Sequence, residues 1–417
     1  MEAMVISGGR PLHGTVRISG SKNAVLPILA ATVIHGGKYV ILGCPDITDV
    51  RNAIEILQTL GAQVTRVEDV LTIDTRSLCR CVIPEKLMMK MRASVLFLGP
   101  LLARFGAAVL TMPGGCPLGR RPIDLHIKAV SAMGAAVTLL EDRICCTAPQ
   151  LHGCTVDLTF PSVGATENAL LAAVACCGTV TIFNAAREPE ICDLIAFLQA
   201  MGADIRGSGT QTLTVLGGTP LHDADYTVMA DRIETATYLC AAAGCGGEVT
   251  LLHADGSVLE PVVQVLQQAG CTIDQQVGAL TIRSTGDLCA VGQISTAPYP
   301  GFPTDAQALV MAALLRAKGE SRFSENIFDS RFGHVPQLVR LGAEIRLTEN
   351  TAVVCGTKEL VPSQVEACDL RAAAALVLAA LQIPGDTTIF GLKHLYRGYD
   401  NPEEKLRSLG AQIRRVQ

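Results

Sequence analysis

The stretch Leu60-Gly61-Ala62-Gln63-Val64 marks the end of a helical segment and the start of an extended one. The same pattern (apolar residue, glycine, small residue, any residue, Val or Ile) occurs five more times, at intervals of 68 to 73 residues. Glycine adopts a left-handed backbone at almost no cost and commonly follows the last turn of a helix. A period kept over six copies predicts a fold built of six similar units. The other five glycines are Gly134, Gly202, Gly270, Gly342 and Gly410.

A second glycine in each repeat follows a segment that is apolar almost all round. Residues 24–34, 169–177 and 372–381 carry almost no charge, which is typical of helices buried on every side. Residues 49–60 instead have apolar positions at helical spacing on one face only. Each unit is therefore predicted to contain a buried helix, a strand, a surface helix and two more strands. The second glycines are Gly37, Gly106, Gly178, Gly247, Gly319 and Gly385.

The six units allow either a solenoid or two groups of three. A chain of 417 residues is typical of two or three domains. The units are about twice as long as usual solenoid repeats, and neither end of the chain has an atypical capping copy. We therefore expect an α/β fold of two groups, each packed around its own buried helices.

Composition narrows the class of protein. Hydrophobic residues make up 49% of the chain and aromatic residues 4%, with no Trp, as expected of aliphatic α/β packing. The longest apolar runs fall well short of the ~20 residues that a membrane helix needs, and the first ten residues lack a signal-peptide core. We therefore expect a cytoplasmic protein without membrane insertion. The net charge of −5 argues against a nucleic-acid partner, and no motif indicates an obligate protein partner.

One of the 16 cysteines differs from the rest. Most lie in apolar segments, where cysteine behaves as a small hydrophobic residue, and none has the spacing of a zinc site. Cys116 lies in a loop rich in glycine and proline, residues 112–122, together with Arg120 and Arg121. Nearby guanidinium groups favour the thiolate, so this thiol can act as a nucleophile or a proton donor. The alternative is an ordinary surface turn.

Lys22 and Asn23 stand where the first buried helix begins. Backbone N–H groups at a helix start attract anions, and a lysine beside them suits a phosphate or a carboxylate. The glycine spacing of a nucleotide-triphosphatase loop is absent. A simple helix cap by Ser19 or Ser21 explains the motif equally well.

Charged residues also start two later buried helices. Thr304 is predicted as the N-cap of the fifth, which places Asp305 in the first turn, where either helix capping or a general base explains it. Asp369 and Arg371 start the sixth in the same way. An arginine in a loop usually only contacts solvent. Because charged residues recur at the starts of buried helices and in the matching loops, however, we expect these residues to come together on one face of each domain. The loop arginines concerned are Arg331 and Arg397.

Motifs in order along the chain resemble the enolpyruvyl transferase family, and within it the members that act on UDP-N-acetylglucosamine. The resemblance runs from about Met4 to Val416 and rests on residues 19–23, 113–126, 162–168, 231–234, 302–307 and 397–399. It implies six repeats in two three-repeat domains, a fold called an inside-out α/β barrel, in agreement with the repeat count. Residues 21–229 would form one domain with the Cys116 loop, residues 1–20 and 230–417 the other, and the active site would lie in the cleft between them.

The resemblance also implies a reaction. The enolpyruvyl group of phosphoenolpyruvate would pass to the 3-hydroxyl of UDP-N-acetylglucosamine with release of phosphate, the first committed step of peptidoglycan precursor synthesis. Cys116 would protonate the methylene carbon and could form a covalent adduct, and Asp305 would accept the proton of the sugar hydroxyl. No metal or organic cofactor is expected. The residues implied to hold the phosphate and carboxylate are Lys22, Arg121 and Arg397, and those implied to line the site near the tetrahedral intermediate are Asp369 and Arg371.

The implied contacts to the UDP-sugar come from several segments. They are Lys22, Asn23, Arg92, Arg121, Pro122, Ile123, Asp124, Leu125, Ser162, Val163, Gly164, Asp305 and Ile327, with Arg331 nearby.

Three rival functions differ in what they require of the sequence. The 3-phosphoshikimate enolpyruvyl transferases share the fold but lack the cysteine loop. A catalytically silent UDP-sugar-binding paralogue would commonly have lost Cys116 or Asp305, and an interaction scaffold would not need charges at buried helix starts. Pro117, Leu118 and Arg120 stand where the resembled family more often has small residues, which concerns the motion of the loop more than the reaction.

Overall fold

The computed structural model describes residues 2–111, 114, 122–357 and 359–416. These residues form two compact units, one made of residues 20–229 and the other of residues 2–19 with 230–416. Gly20, which the sequence prediction assigned with residues 1–19, belongs to the unit of residues 20–229.

The elements up to the end of residues 20–229 contain the predicted order of helix, strand, helix, strand and strand three times. These elements also include two strands before the first repeat, a short helix and a 3₁₀ helix before the second buried helix, and one further strand at the end of the second and third repeats. They are β1 (Ala3–Gly8), β2 (Leu12–Arg17), α1 (Lys22–Ala31), β3 (Lys38–Leu42), α2 (Thr48–Leu60), β4 (Gln63–Val67), β5 (Val70–Asp74), α3 (Glu85–Met88), a 3₁₀ helix (Arg92–Phe97), α4 (Leu98–Phe105), β6 (Ala107–Thr111), α5 (Asp124–Ala132), β7 (Ala136–Leu139), β8 (Arg143–Thr147), β9 (Thr155–Asp157), α6 (Val163–Ala173), β10 (Gly178–Phe183), α7 (Pro189–Ala200), β11 (Asp204–Arg206), β12 (Thr212–Gly217) and β13 (Ala224–Thr227).

The remaining residues repeat the same order twice in full, and the sixth repeat ends after one strand instead of two. They form α8 (Arg232–Cys245), β14 (Gly247–Leu252), a 3₁₀ helix (Ser257–Leu259), α9 (Glu260–Gln268), β15 (Thr272–Gln276), β16 (Ala279–Ser284), β17 (Gln293–Ser295), α10 (Thr304–Ala313), β18 (Glu320–Ser324), α11 (Val335–Arg340), β19 (Glu344–Thr348), β20 (Thr351–Cys355), β21 (Gln364–Glu366), α12 (Leu370–Gln382), β22 (Gly385–Phe390), a 3₁₀ helix (Leu392–Arg397), α13 (Pro402–Ser408) and β23 (Gln412–Val416).

Each repeat contributes one small sheet, so the described residues contain six. In five of them a central strand such as β10 pairs in parallel with one neighbour (β9) and antiparallel with another (β12). All six glycines of the repeated motif have a positive φ, between 89° and 113°, as the sequence predicted. Five of the six second glycines do as well, Gly37 being the exception.

The helices of each repeat divide into buried and surface types. In α8 and α12 nearly every residue is buried, and in α1, α6 and α10 everything beyond the first turn is. In the unit of residues 2–19 and 230–416, α8, α10 and α12 pack against one another. Helix α2 buries one face only. This division confirms the prediction from charge patterning, since a side without polar residues gains nothing from contact with water.

Three strands pair with strands that are distant from them in the sequence. Strand β1 lies between β22 and β23, and β2 pairs in parallel with β14 (Leu12 opposite Gly247). Strand β13 pairs in parallel with β3 (Ala224 opposite Tyr39). Strands β2 and β13 therefore each complete a sheet of one unit immediately before the chain enters the other.

Two predicted helix ends are too long. Helix α1 ends at Ala31 rather than at Ile34, and α6 ends at Ala173 rather than at Cys177. In both cases the chain continues through turns that reach the second glycine, so apolarity alone does not mark the last helical residue. Among the described residues, no helix combines the length and the apolar character that a membrane span requires.

Candidate active site

Asp305 is held by two arginines at the start of a buried helix. It is the second residue of α10, in the first turn as predicted. Its Oδ1 accepts a hydrogen bond from Arg331 (2.6 Å) and its Oδ2 accepts one from Arg371 (2.8 Å). The side chains of Arg331 and Arg371 are only 3% and 5% exposed, whereas that of Asp305 is 27% exposed. The carboxylate is therefore fixed by two buried cations while its side chain stays partly exposed.

Arg371 is in turn oriented by Tyr399. Its Nη1 donates to the Tyr399 hydroxyl at 3.3 Å, and its guanidinium lies 5.8 Å from the centre of that ring. The Tyr399 hydroxyl also forms a 2.7 Å hydrogen bond with Thr237 of α8. Burial alone would lower the pKa of Arg371, but the neighbouring Asp305, Tyr399 and Asp231 outweigh it and raise the pKa. Arg371 therefore stays a fixed cation beside Asp305.

Asp369 lies behind this pair and caps α12. Its Oδ1 accepts hydrogen bonds from the backbone N–H of Arg371 (2.8 Å) and Ala372 (3.0 Å), which is the N-cap arrangement that the sequence suggested. Arg397 ends the 3₁₀ helix that precedes Tyr399 and is half-buried. Burial lowers the pKa of nearby His394, and the charges of Lys393 and Arg397 lower it further.

Thr304 is not the N-cap of α10, contrary to the prediction. The N-cap is Pro303, and Thr304 is the first helical residue. Its hydroxyl donates to Glu325 Oε2 at 3.0 Å, and its carbonyl accepts from the Arg331 guanidinium at 3.3 and 3.4 Å. Because Glu325 offers a charged acceptor nearby, the hydroxyl points to it rather than to its own helix. Ile327 lies two residues beyond Glu325 and donates its N–H to the same carboxylate.

A second group of predicted site residues lies in the unit of residues 20–229. Ser21 is the N-cap of α1 and accepts from the Ala24 N–H at 3.3 Å, in line with the capping alternative. Lys22 and Asn23 are the first two helical residues and are half-buried. Lys22 forms a 2.9 Å ion pair with Asp49, whose side chain is 2% exposed. Asp49 thus fixes the lysine that the sequence assigned to anion binding.

The side-chain amide of Asn168 links three further segments that have predicted contacts to the UDP-sugar. Asn168 in α6 is fully buried, accepts the Gly99 N–H at 2.9 Å and donates to the Val95 carbonyl at 3.0 Å. Its Nδ2 also lies 2.7 Å from Nδ1 of His126. Arg92 precedes Val95 and Gly99 in sequence and donates to the Pro122 carbonyl at 3.4 Å.

The predicted segments that Asn168 links differ in exposure. Ile123 is buried, Pro122 and Asp124 are exposed, and the others are half-buried. They form the start of α5 (Ile123, Asp124, Leu125) and the start of α6, where Ser162 is the N-cap. Cys116 and Arg121 lie outside the described residues.

Several residues that build these sites were not predicted. Glu325, Tyr399, Asn168 and Asp49 each hold a predicted residue in place through a side-chain contact. Asn168 directly precedes the apolar run of residues 169–177, which is the sequence signal that could have found it, whereas Glu325 lies among polar residues and gives no such signal. Asp49 had been predicted only as the first residue of a surface helix.

Comparisons with known proteins show the family of the chain. The family model of EPSP synthase (3-phosphoshikimate 1-carboxyvinyltransferase) matches residues 6–406. UDP-N-acetylglucosamine 1-carboxyvinyltransferase 2 of Carboxydothermus hydrogenoformans is 46% identical over 418 residues, covering 100% of both chains. UDP-N-acetylglucosamine 1-carboxyvinyltransferase of Dichelobacter nodosus is also 46% identical, with the same coverage.

Solved structures show the same fold. The crystal structure of the enolpyruvyl transferase NikO from Streptomyces tendae matches with a TM-score of 0.91 and 28% identity, covering 100% of this chain and 99% of that one. EPSP synthase from Acinetobacter baumannii matches with a TM-score of 0.77 and 20% identity over the full length of both chains. These matches confirm the predicted enolpyruvyl transferase fold. The chain therefore belongs to the enolpyruvyl transferase family that the EPSP synthase model describes, and it aligns from end to end with members named UDP-N-acetylglucosamine 1-carboxyvinyltransferase.

Proposed function

We propose that the protein transfers the enolpyruvyl group of phosphoenolpyruvate to the 3-hydroxyl of UDP-N-acetylglucosamine and releases phosphate. The observation that carries this proposal is Asp305, a partly exposed carboxylate held by two buried guanidinium groups. End-to-end similarity to relatives named for this reaction supports the choice of acceptor. In the cell the reaction would be cytoplasmic and would start peptidoglycan precursor synthesis.

The chemistry needs an acid and a base at defined positions. Protonation of the methylene carbon of phosphoenolpyruvate leaves positive charge on the adjacent carbon, which the sugar hydroxyl attacks as it gives up its proton. The resulting tetrahedral intermediate then loses a methyl proton and phosphate, which restores the double bond. Asp305 would take the hydroxyl proton, because its two arginines fix both oxygens of a carboxylate that remains partly exposed. Cys116 would supply the proton to carbon.

Binding would rely on cations, because both substrates are anionic. Lys22, Arg121 and Arg397 would hold the phosphate and carboxylate of phosphoenolpyruvate, and Asp369 and Arg371 would line the site of the intermediate. Charge-assisted hydrogen bonds of this kind gather anions on a chain whose net charge is −5. The UDP-sugar would contact Lys22, Asn23, Arg92, Arg121, Pro122, Ile123, Asp124, Leu125, Ser162, Val163, Gly164, Asp305 and Ile327, with Arg331 nearby.

The test is phosphate release from phosphoenolpyruvate with UDP-N-acetylglucosamine or with shikimate 3-phosphate as acceptor. We expect release only with the UDP-sugar, a strong loss in Asp305→Asn and in Cys116→Ala, and alkylation of Cys116 by an epoxide phosphonate such as fosfomycin. Asp386→Asn is a matched control, because Asp386 is an exposed carboxylate paired with Arg414 on a sheet surface. Release only with shikimate 3-phosphate would contradict the proposal. So would the absence of release from folded protein that still binds the UDP-sugar.

A further inference from the structure

Glu325 is a buried carboxylate outside the set of proposed substrate-binding residues. It follows β18 directly and is 3% exposed. Its Oε1 accepts hydrogen bonds from the Thr296 hydroxyl (3.0 Å) and from the N–H groups of Ile327 (2.9 Å) and Phe328 (3.2 Å). Its Oε2 accepts one from the Thr304 hydroxyl (3.0 Å). A buried carboxylate is costly unless several donors converge on it, and here four do.

Glu325 Oε2 is connected to Asp305 through Thr304. Thr304 directly precedes Asp305, and the Thr304 carbonyl accepts from the Arg331 guanidinium at 3.3 and 3.4 Å. The same guanidinium donates to Asp305 Oδ1 at 2.6 Å. The position of Thr304 therefore sets the backbone of Asp305 and also the cation that holds its side chain.

Glu325 Oε1 is connected to the segment at Ile327 through backbone hydrogen bonds. Two amide donors on one oxygen fix the chain at Ile327 and Phe328, just after the strand ends. Thr296 strengthens this side, because its hydroxyl accepts the Asn326 N–H at 2.8 Å while donating to Glu325. Its carbonyl accepts the Asn326 side-chain amide at 2.9 Å.

We infer that Glu325 is a positioning residue that couples the proton-accepting carboxylate of Asp305 to the UDP-sugar segment at Ile327. The inference rests on the proposed function, since it assigns Glu325 a place in that reaction. If Glu325 were purely structural, it would stabilise the fold without separate effects on kcat and on the KM for the UDP-sugar. A positioning carboxylate affects kcat through Thr304 and the KM for the UDP-sugar through Thr296.

The two sides can be separated with isosteric substitutions. Thr304→Val removes one hydroxyl and keeps the side-chain shape, and we expect kcat to fall about tenfold while the KM for the UDP-sugar stays within about twofold. Thr296→Val acts on the other side, and we expect that KM to rise about fivefold with a smaller change in kcat. Thr304→Ser and Thr296→Ser keep the hydroxyl and should each restore the affected constant to within about threefold of wild type. Glu325→Gln should alter both constants.

Controls separate this role from a loss of folding. Thr250→Val makes the same change in the same unit, at a hydroxyl that bonds Thr281 across a sheet, and should leave both constants unchanged. Thermal unfolding of every variant shows whether it is folded at the assay temperature. Wild-type turnover with a Thr304→Val kcat within twofold of Thr304→Ser would overturn the inference and leave the proposed function intact. Absence of UDP-sugar-dependent turnover in the wild type would overturn both.

Discussion

Replacing Asn168 by Leu should destabilise the protein more than most single substitutions. The Asn168 side chain is fully buried in α6 and bonds to Gly99, Val95 and His126. Gly99 lies in the first turn of α4, where a backbone N–H has no partner within its own helix. Asn168 therefore acts as a cap supplied by another helix. Leu has a similar shape but offers no polar atom.

The magnitude follows from counting the groups left without a partner. The Val95 carbonyl still accepts from the Leu98 N–H, so it remains satisfied. The buried Gly99 N–H is left unsatisfied, which costs about 1–3 kcal/mol, and the lost hydrogen bond to His126 costs about 1 kcal/mol more. We therefore expect the free energy of unfolding to fall by about 2–4 kcal/mol. Because Asn168 links segments with proposed UDP-sugar contacts, we also expect the KM for the UDP-sugar to rise.

Guanidinium titration of wild type and variant measures this loss, and Gln382→Met provides the comparison. Gln382 is also a buried amide in a helix, but its Nε2 donates only to the carbonyls of Ala312 and Leu378. Its removal leaves no buried N–H unsatisfied, so we expect a loss of about 1 kcal/mol or less. A loss below 1 kcal/mol for Asn168→Leu, or equal losses for the two variants, would refute the reasoning.

Two further predictions concern buried charge. Burial lowers the pKa of His334 from 6.5 to about 4, so its contribution to stability is present above pH 6.5 and is lost as the pH falls toward 4. This shift in pKa corresponds to about 3 kcal/mol of stability. In guanidinium titrations at pH 7 and pH 4.5, His334→Gln should lose less stability between the two pH values than the wild type does. An equal loss in the variant and the wild type would contradict this prediction. Lys405→Met removes the 2.7 Å partner of the buried Glu234 and should cost about 3 kcal/mol at pH 7.5. Since burial raises the pKa of Glu234, that cost should shrink at pH 5, and an equal cost at both pH values would count against the pairing.

Much of the fold was predictable because its signals are local. The six glycines of the repeated motif and the nearly uncharged helices between them can be read over short stretches of sequence, and the structure confirms both. The position of Asp305 in a first helical turn was also predictable, because a helix start has its own sequence signature. The N-cap role predicted for Thr304 was wrong. Its hydroxyl donates to Glu325, which belongs to a different part of the chain, and local sequence does not reveal that partner.

The partners of the site residues could not be predicted from local patterns. Arg331 and Arg371 hold one carboxylate from positions 26 and 66 residues away, and only the packing of α10 against α12 explains why Arg371 reaches it. Asn168 bonds to Gly99 across 69 residues for the same reason.

The sequence by itself determined the repeated unit, the kind of each helix and the places where charge meets a buried helix. Those features depend on backbone preference and on the spacing of apolar residues, which act over a few turns. The tertiary structure alone decided that β1 completes the sheet of the last repeat, that β2 and β13 pair outside their own repeats, and which buried groups fix Asp305. Strand pairing and buried hydrogen bonds depend on which surfaces meet when the helices pack, and no short stretch of sequence specifies that.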